Sequence, residues 1–587
     1  MTDSKPAEKP QETAPVQAVA PVEPAPAQAR WLTRASRRPF ALLALLGLLL
    51  WLPGMLGLPT LDRDESRFAQ SSRQMVESGN WVDIRFGQVP RYKKPVGIYW
   101  LQAGATELAG LVTGRDDQIW TYRLPSLLGG IAAAWLTVWC ALAVTEAEAA
   151  LLAGLLMLGS VLLTAESMIA TTDAVLLACA LGMQGVLLRL YRAARDDAAP
   201  KPSTRLVMWG WAAAAAGILV KFPVVPGVGV ATIIGLMAWD RRWPPQWDWL
   251  AALRPARGLG LTLLMVSPWL IAIAVQSHGA FFQQSLGNDF AAKIAGGQES
   301  HGGLPGYYLL LSAASFWPSI LFVLPGVAQG FARRTEPAVR FLLIWAASWW
   351  LIVEAVPTKL PHYVLSAYPP LAILAAMFVL DPRPVKWLTP ACWIAGGQFV
   401  IGSALFTAAT LLAPDYFGSG ADWPVWAAAG AGAVLALVAL ILVILRKHKI
   451  ALLPALLAMA VFAPALTVLV APGLDQLWIS ERLKTIVDAA TRAGDPSPAI
   501  AGYQEPSLVF ALGADVVLTD GAGAADAGAR TGGLTLIEDS ERGTFLARLA
   551  ELQADATPVG DLSGFNYSRG RRQHVTVYRV AQLHAPK

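Results

Sequence analysis

Apolar segments of about 20 residues recur along most of the chain, and they constrain the fold more than any other feature. A helix needs about 20 apolar residues to cross the hydrocarbon core of a bilayer. We count thirteen candidate spans, which start near residues 39, 124, 147, 171, 206, 222, 258, 305, 338, 363, 388, 423 and 450. The charged fraction is only 15%, whereas soluble domains carry about 25%. The sequence therefore predicts a polytopic α-helical membrane protein.

The distribution of Lys and Arg predicts the orientation of these spans. The stretch RWLTRASRRPF (residues 30–40) places four arginines before the first span, which predicts a cytoplasmic N-terminus. Further cations cluster between later spans at 189–205, 241–257, 333–340, 383–386 and 446–449. With thirteen spans, all of these loops are cytoplasmic and the C-terminus is extracytoplasmic.

Composition also divides the chain into three parts. Residues 1–30 are rich in Pro, Ala, Glu and Gln and predict a disordered cytoplasmic tail. Residues 31–472 form the membrane domain. Residues 473–587 predict a small extracytoplasmic α/β domain, in which ERLKTIVDAATRAG has helical spacing and AIAGYQ, VVLTD, LTLIED and HVTVYRV are typical strands.

Some classes of partner and site are disfavoured. The formal net charge is +5, which is small for 587 residues, so nucleic acid is not expected as a partner. Cys140, Cys179 and Cys392 all lie in apolar runs without a paired spacing. They predict neither a disulfide framework nor a metal site.

Charge is concentrated where the first span ends, in LDRDESRFAQ (residues 61–70). This stretch opens a predicted extracytoplasmic loop at 59–123, the longest in the membrane domain. Residues 64–78 and 97–112 have apolar positions at helical spacing. We expect two amphipathic helices along the membrane surface.

Other polar residues fall at the same ends of later spans. Glu166 and Asp173 lie in TAESMIATTDAV, Lys221 lies in GILVKFPVVPG, and GGQESHGGLPGYY (296–308) and VPTKLPHYVL (356–365) follow the same rule. Because an ionisable group facing lipid is costly, we expect Asp173 and Lys221 to pair or to face a wet cavity. Charges of purely interfacial origin are the alternative. A transporter, by contrast, would place such ionisable groups near the midplane of the bilayer rather than at the ends of the spans.

This arrangement suits a reaction on an anionic lipid such as a polyprenyl-phosphate sugar. The leaving phosphate needs cations, for which Lys94, Lys221 and Lys359 are candidates. An acceptor hydroxyl needs a base, and Asp64 is the best placed carboxylate. If the acceptor is a phosphate, Asp64 instead orients the acceptor or sugar, or stabilises an oxocarbenium-like centre. Direct displacement inverts the anomeric configuration.

The stretch LDRDESRFAQSSRQMVESGNWVDIRFGQVPRYKKPVGIYWL resembles the first periplasmic loop of bacterial lipid A aminoarabinose transferases and of protein mannosyltransferase-like enzymes, which are GT-C glycosyltransferases. ATTDA, LVKF, SHGGLPGYYL and TKLPHYVLSAYPPLA match further family segments in order. The resemblance covers roughly residues 39–380. It implies a GT-C fold, a polyprenyl-phosphate sugar donor, and activity at the periplasmic face of the bacterial inner membrane.

The resemblance also implies roles for individual residues. The implied catalytic carboxylates are Asp64, Glu65 and Asp173. The implied donor-phosphate ligands are Arg67, Lys94, Lys221, Lys359 and Tyr363. Supporting positions are Tyr92, His301, Tyr307 and His362.

Two departures from the family concern metal binding. Lys93 stands where aminoarabinose transferases have an acidic residue, and SLGNDFAAKI (285–294) stands where they have a Glu-His pair. The positions that resemble a zinc site are thus changed. We expect no cofactor and assign no metal ligand, with a divalent metal as the alternative.

The sequence therefore predicts an inner-membrane GT-C hexosyl- or pentosyltransferase. Its predicted partners are a polyprenyl-phosphate sugar and a lipid A, glycan or protein acceptor in the cell envelope. A lipid-carrier transporter or flippase, or a non-catalytic carrier-binding relative, is the alternative.

Overall fold

The computed structural model describes residues 35–240, 248–285, 287 and 302–582. The predicted N-terminal tail, His301 and most of the SLGNDFAAKI segment lie outside these ranges.

Most of the membrane domain is helical. Its longer helices are α1 (Pro39–Gly57), α2 (Asp64–Ser78), α3 (Gly97–Thr113), α4 (Ile119–Ala141), α5 (Ala147–Leu158), α6 (Val161–Met168), α7 (Asp173–Ala193), α8 (Thr204–Lys221), α9 (Val224–Asp240), α11 (Pro255–Gln276), α13 (Tyr307–Ser315), α14 (Ile320–Ala332), α15 (Pro337–Ala355), α16 (Tyr368–Leu380), α17 (Leu388–Phe417), α18 (Trp423–Ile444) and α19 (His448–Pro464). Short helical turns are α10 (Asp248–Ala251), α12 (Ala280–Phe282), the 3-10 turn Pro361–Ala367, the π turn Ala465–Val470 and the 3-10 turn Ala471–Gly473.

Each predicted span start lies within five residues of the start of a helix or helical turn. Within the described ranges, nine helices are long and apolar enough to cross a bilayer. A tenth follows if α5 and α6, which are bent by 61° at their junction, form one span. The multi-pass architecture is confirmed, whereas the number thirteen stays a prediction.

The centre of the membrane domain is the segment Pro361–Leu380, of which 89% is buried. By contrast, the outer helices α1 and α18 bury only 33% and 28%. Their remaining surface is apolar, as expected for helices that face lipid. The 3-10 turn that carries His362 and Tyr363 is therefore fixed by the most buried helix of the domain.

The first loop folds against this bundle as α2, the hairpin β1 (Arg85–Phe86) and β2 (Val89–Pro90), and α3. Both predicted helices are present, and their position along the membrane surface stays a prediction. Asp64 and Glu65 begin α2, where carboxylates are favoured by the helix dipole. Gly97 allows α3 to cross α8 closely, since a Cβ there would lie 2.8 Å from the Leu219 carbonyl. This crossing brings the Lys93–Lys94 segment next to Lys221.

The C-terminal domain is built on a five-stranded sheet of order β4-β3-β5-β7-β6. Its strands are β3 (Ala499–Ala501), β4 (Val517–Thr519), β5 (Gly533–Glu538), β6 (Ala556–Asn566) and β7 (Arg571–Val580). Strands β3, β4 and β5 are parallel, and β7 pairs antiparallel with β5 and β6. The four predicted strands are confirmed, and β6 is an additional one.

Helices cover both faces of this sheet. The helices α20 (Ile479–Ala490) and α21 (Pro506–Leu512) contribute to one hydrophobic cluster. The helices α22 (Gly521–Thr531) and α23 (Asp539–Leu552) contribute to the other. Alternate residues of β7 point to opposite clusters, with Val575 and Val577 in the first and Tyr578 and Val580 in the second. The predicted α/β domain is thus a sheet packed between two helix pairs.

Candidate functional site

Two adjoining cavities lie between the first loop and the ends of α7, α8 and α15. The first, of about 260 Å³, is polar, and we call it the polar cavity. It is lined by Arg63, Asp64, Arg67, Phe68, Arg91, Lys93, Lys94, Glu166, Ile169, Thr171, Thr172, Asp173, Lys221, Thr358, Leu360, His362 and Tyr363. Charged residues from four segments of the chain, 63–67, 91–94, 166–173 and 221, therefore converge on one cavity.

The second cavity, of about 290 Å³, is mostly apolar, and we call it the apolar cavity. Its walls include Phe222 and Val224 at the α8–α9 junction and Trp349, Ile352 and Val353 of α15. It shares with the polar cavity the residues Lys93, Lys94, Asp173, Lys221, His362 and Tyr363. Cations therefore line the junction between the polar cavity and the apolar cavity.

Asp64 is exposed to the polar cavity at the first turn of α2. Desolvation alone would raise the pKa of Asp64, but the charges of Arg91 and Arg67, together with other cations of the cavity, outweigh it and hold that pKa below its ordinary value. The group is therefore a carboxylate at neutral pH. Such a group accepts hydrogen bonds and stabilises positive charge.

Glu65, the neighbour of Asp64, does not line either cavity. Arg123 donates to both Glu65 oxygens at 2.7 and 2.8 Å, and the backbone N–H groups of Leu61 and Ala170 donate at 2.8 Å each. The Glu65 side chain is 1% exposed. This carboxylate is fully occupied by the protein, so the geometry favours a positioning role over the predicted catalytic one.

Asp173 and Lys221 meet as a buried pair at the junction of the two cavities. Lys221 Nζ lies 2.9 Å and 3.0 Å from the two Asp173 oxygens, and Thr172 donates to Asp173 at 2.7 Å. The predicted pairing is therefore confirmed, and so is the predicted cavity. Tyr363 lies beside this pair, with Lys221 Nζ 5.7 Å from the centre of its ring.

His362 lies between two carboxylates on the wall of the polar cavity. Its Nδ1 is 3.8 Å from Glu166 Oε1, and its Nε2 is 4.0 Å from Asp173 Oδ2. Thr171 donates to the other Glu166 oxygen at 2.6 Å. At these distances His362 lies close to both acids, and it can exchange hydrogen bonds with a molecule bound in the polar cavity.

Three other predicted residues lie outside both cavities. Lys359 Nζ donates to the carbonyls of Val353 and Glu354 and thereby fixes the turn before His362. Tyr92 donates to Asp83 at 2.8 Å within the core of the first loop. Tyr307 packs edge-on against Tyr308, with 5.0 Å between the ring centres. A direct contact of these three with phosphate is not supported by this geometry.

The predicted site lacked several residues that line the polar cavity. These are Arg63, Phe68, Arg91, Lys93, Glu166, Ile169, Thr171, Thr172, Thr358 and Leu360. Arg91 and Lys93 lie beside the predicted Lys94, and Glu166 lies seven residues before Asp173 in TAESMIATTDAV. Each of these three residues is close in sequence to a predicted site residue at the end of a span. This proximity was the sequence signal that could have identified them.

The described lining of the polar cavity holds more cationic side chains than carboxylates. Within the described part of the chain, no group of three or more His, Cys, Asp or Glu side chains is placed to hold one. Six cationic side chains line the polar cavity, and they would repel a divalent cation there.

Chemically, the two cavities suit an amphiphile with an anionic head group. Cations at the junction can hold the anion, while the apolar cavity accepts a hydrocarbon chain. A molecule so placed presents its head group to Asp64.

Comparison with known proteins agrees with this architecture. The family model of dolichyl-phosphate-mannose-protein mannosyltransferases matches residues 93–271. An undecaprenyl phosphate-alpha-4-amino-4-deoxy-L-arabinose arabinosyl transferase from Aeromonas salmonicida is 27% identical over 330 residues, which are 55% of this chain and 56% of that protein. The chain thus spans about half the length of the curated relatives it matches.

Solved structures agree over a longer stretch. ArnT from Cupriavidus metallidurans in the apo state superposes with a TM-score of 0.71 at 20% identity, covering 96% of this chain and 100% of that one. The same protein bound to undecaprenyl phosphate gives a TM-score of 0.68 at 19% identity, covering 93% and 99%. The chain therefore shares the fold of these ArnT structures and resembles the arabinosyl transferases in sequence over about half of its length.

Proposed function

We propose that this protein transfers a sugar from a polyprenyl-phosphate donor to a lipid, glycan or protein acceptor. The observation that carries the proposal is the meeting of the polar and apolar cavities at Lys94, Lys221 and Tyr363. A molecule with a phosphate between a sugar and a hydrocarbon chain matches this arrangement. Its sugar corresponds to the polar cavity, its phosphate to the cationic junction, and its hydrocarbon chain to the apolar cavity.

In this proposal the prenyl chain begins in the apolar cavity, beside Trp349 and Ile352. The phosphate lies at the junction, where Lys94 and Lys221 neutralise it and Arg67 supports them. Cations placed where negative charge develops stabilise the transition state more than the ground state. The sugar then lies in the polar cavity.

Asp64 acts on the acceptor or on the sugar. With a hydroxyl acceptor, Asp64 takes the proton as the acceptor oxygen forms its bond to the anomeric carbon. The bond from that carbon to the phosphate oxygen breaks, and the phosphate leaves on its carrier. With an ionised phosphate acceptor, Asp64 orients the reactants or stabilises the oxocarbenium-like centre. A single displacement inverts the anomeric configuration.

Other residues hold these groups in place. Asp173 fixes the Lys221 ammonium through two hydrogen bonds, and His362 and Tyr363 line the space around the phosphate. Lys359 orders the turn that carries His362. Glu65 fixes the first turn of α2 from inside the membrane domain.

Similarity to known proteins supports the donor class and the cellular location. A protein with this fold was solved with undecaprenyl phosphate bound, and a sequence relative is named for transfer of an aminoarabinose from that carrier. We propose that the reaction takes place at the periplasmic face of the bacterial inner membrane, as the distribution of Lys and Arg between the spans predicts. The N-terminus is then cytoplasmic and the C-terminal domain periplasmic.

Mass spectrometry of envelope lipids and glycans from a deletion strain tests the proposal. The strain is complemented with wild type, with Asp64→Asn, or with Asp422→Asn, whose side chain caps α18 away from both cavities. We expect one hexose- or pentose-sized increment to vanish on deletion. It should return with wild type and Asp422→Asn but not with Asp64→Asn.

The size of the increment would identify the sugar class, and the molecule that carries it would identify the acceptor. Full complementation by Asp64→Asn, at wild-type protein level, would contradict the proposal. A deletion that leaves every envelope glycan unchanged would contradict it as well.

A further inference from the structure

The C-terminal domain contacts the residues that directly precede Asp64. The backbone N–H of Asp62 donates to the Tyr567 hydroxyl at 2.7 Å. The Asp62 carboxylate accepts from the backbone N–H of Ser507 at 3.3 Å and from the Ser507 hydroxyl. The Arg63 guanidinium donates to the carbonyl of Ser568. We call Ser507, Tyr567 and Ser568 the brace.

The brace is itself held by hydrogen bonds within the C-terminal domain. The Ser507 hydroxyl lies 2.6 Å from that of Ser480. Glu505 accepts from Asn566 at 2.8 Å and from Arg569 at 3.0 Å, which ties the two turns of the brace together. The domain therefore presents the brace to the first loop as a preformed surface.

Arg63, the residue between Asp62 and Asp64, has an unusual backbone conformation. Its φ is 65° and its ψ is −108°, immediately before the first helical residue of α2. A side-chain-bearing residue in this region costs about 1–3 kcal/mol and persists only when its surroundings hold it. The brace contacts the backbone of Asp62 and the side chain of Arg63, and these contacts hold Arg63 in this conformation.

Asp64 is thus the residue between two anchored neighbours. Glu65 is fixed by Arg123 within the membrane domain. Asp62 and Arg63 are fixed by the C-terminal domain. Asp64 has its side chain directed into the polar cavity between these anchors.

We propose that Ser507 and Tyr567 are positioning residues for the transfer reaction, because they hold the Asp62–Arg63 turn and thereby set the position of Asp64. This inference rests on the proposed role of Asp64. It assigns the C-terminal domain a part in turnover that the membrane domain alone does not supply.

The test uses the full-length protein in lipid nanodiscs and the double variant Ser507→Ala/Tyr567→Phe. Hydrogen–deuterium exchange over residues 60–67 reports the turn independently of activity. We expect faster exchange there and a turnover lower by about tenfold to a hundredfold, since a small misplacement of a reacting group has effects of this size. Affinity for undecaprenyl phosphate should be unchanged, because the carrier cations are not touched.

Two control variants separate positioning from general damage. Tyr578→Phe removes a hydroxyl group in the same domain, from a residue whose core cluster consists of C-terminal residues. It should change neither readout. Asp62→Asn keeps the oxygen that accepts from Ser507 and should retain turnover, whereas Asp62→Ala should behave like the double variant.

Unchanged exchange at residues 60–67 in the double variant would overturn the proposal. Faster exchange with wild-type turnover would overturn it too, as would an equal effect of Tyr578→Phe. If Asp64→Asn keeps full turnover, the proposed function fails instead, and the exchange data still decide whether the brace holds the turn.

Discussion

Two buried ion pairs flank the candidate site, and they differ in what surrounds them. Glu65 and Arg123 meet at 2.7 Å, and Asp173 and Lys221 meet at 2.9 Å. Arg123 uses all five of its N–H groups on Glu65 and on the carbonyls of Met55, Leu58 and Pro59. Asp173 and Lys221 instead line both cavities.

The difference separates a pair that is enclosed by the protein from a pair that is exposed to the two cavities. Glu65 and Arg123, which we call the closed pair, have no hydrogen-bonding capacity left for a ligand, so this pair serves to join α2, α4 and the end of α1. Asp173 and Lys221, which we call the open pair, lie on a cavity wall and can exchange some of their interaction for contact with a bound anion. Burial of a charged group is therefore a weaker indication of function than contact with a cavity.

Breaking the closed pair should have the largest effect on stability. In Arg123→Met, the Glu65 carboxylate stays buried without its cation, which costs about 3–5 kcal/mol of folding free energy. Denaturant titration of the purified protein measures this loss. As a control, Lys484→Met removes an exposed pair with Asp488 and should cost less than about 1 kcal/mol. A loss in Arg123→Met no larger than in the control would contradict the assignment.

Breaking the open pair should weaken binding of the carrier. Lys221→Met removes the charged donor that we propose for the carrier phosphate, and such a donor is worth about 1.5–3 kcal/mol, or at least about tenfold in affinity. Native mass spectrometry with undecaprenyl phosphate measures the change. Lys386→Met, an exposed cation remote from both cavities, is the matched control. Equal affinities for Lys221→Met and wild type would remove Lys221 from the phosphate site.

A third carboxylate, Asp62, sharpens the comparison, since burial next to Glu505 raises its pKa from 3.8 to about 6 despite the hydrogen bonds from Ser507. The folded state then binds this proton more tightly than the unfolded state does. Its contribution to stability therefore falls as pH rises from about 4 to about 6 and is lost above that. Thermal unfolding between pH 4 and 7 should show this component in wild type and not in Asp62→Asn. The same pH profile in both proteins would rule out Asp62 as its source.

Much of the architecture could be predicted from sequence because its causes are local. Apolar runs of span length set the helix starts, and the charged, amphipathic stretch after α1 set α2. The meeting of Asp64, Asp173 and Lys221 also followed, since all three lie at the same ends of their spans.

The features that the sequence did not indicate are contacts between partners that are distant in the chain. From the sequence alone, Glu65 is a candidate catalytic group, whereas in the structure its carboxylate accepts hydrogen bonds from Arg123, which is 58 residues away. Lys359 lies in a motif next to His362, but its donors face backbone carbonyls. The contact between Ser507 and Asp62 spans 445 residues, and nothing in either local sequence indicates it. Such pairings depend on tertiary packing.

The most direct test of the central claim compares two variants in two assays with the same purified preparations. Asp64→Asn should abolish sugar transfer and bind undecaprenyl phosphate as wild type does. Lys221→Met should bind the carrier at least about tenfold more weakly. If Asp64→Asn instead keeps transfer, or loses carrier binding as Lys221→Met does, then Asp64 is not the group that acts on the acceptor or on the sugar.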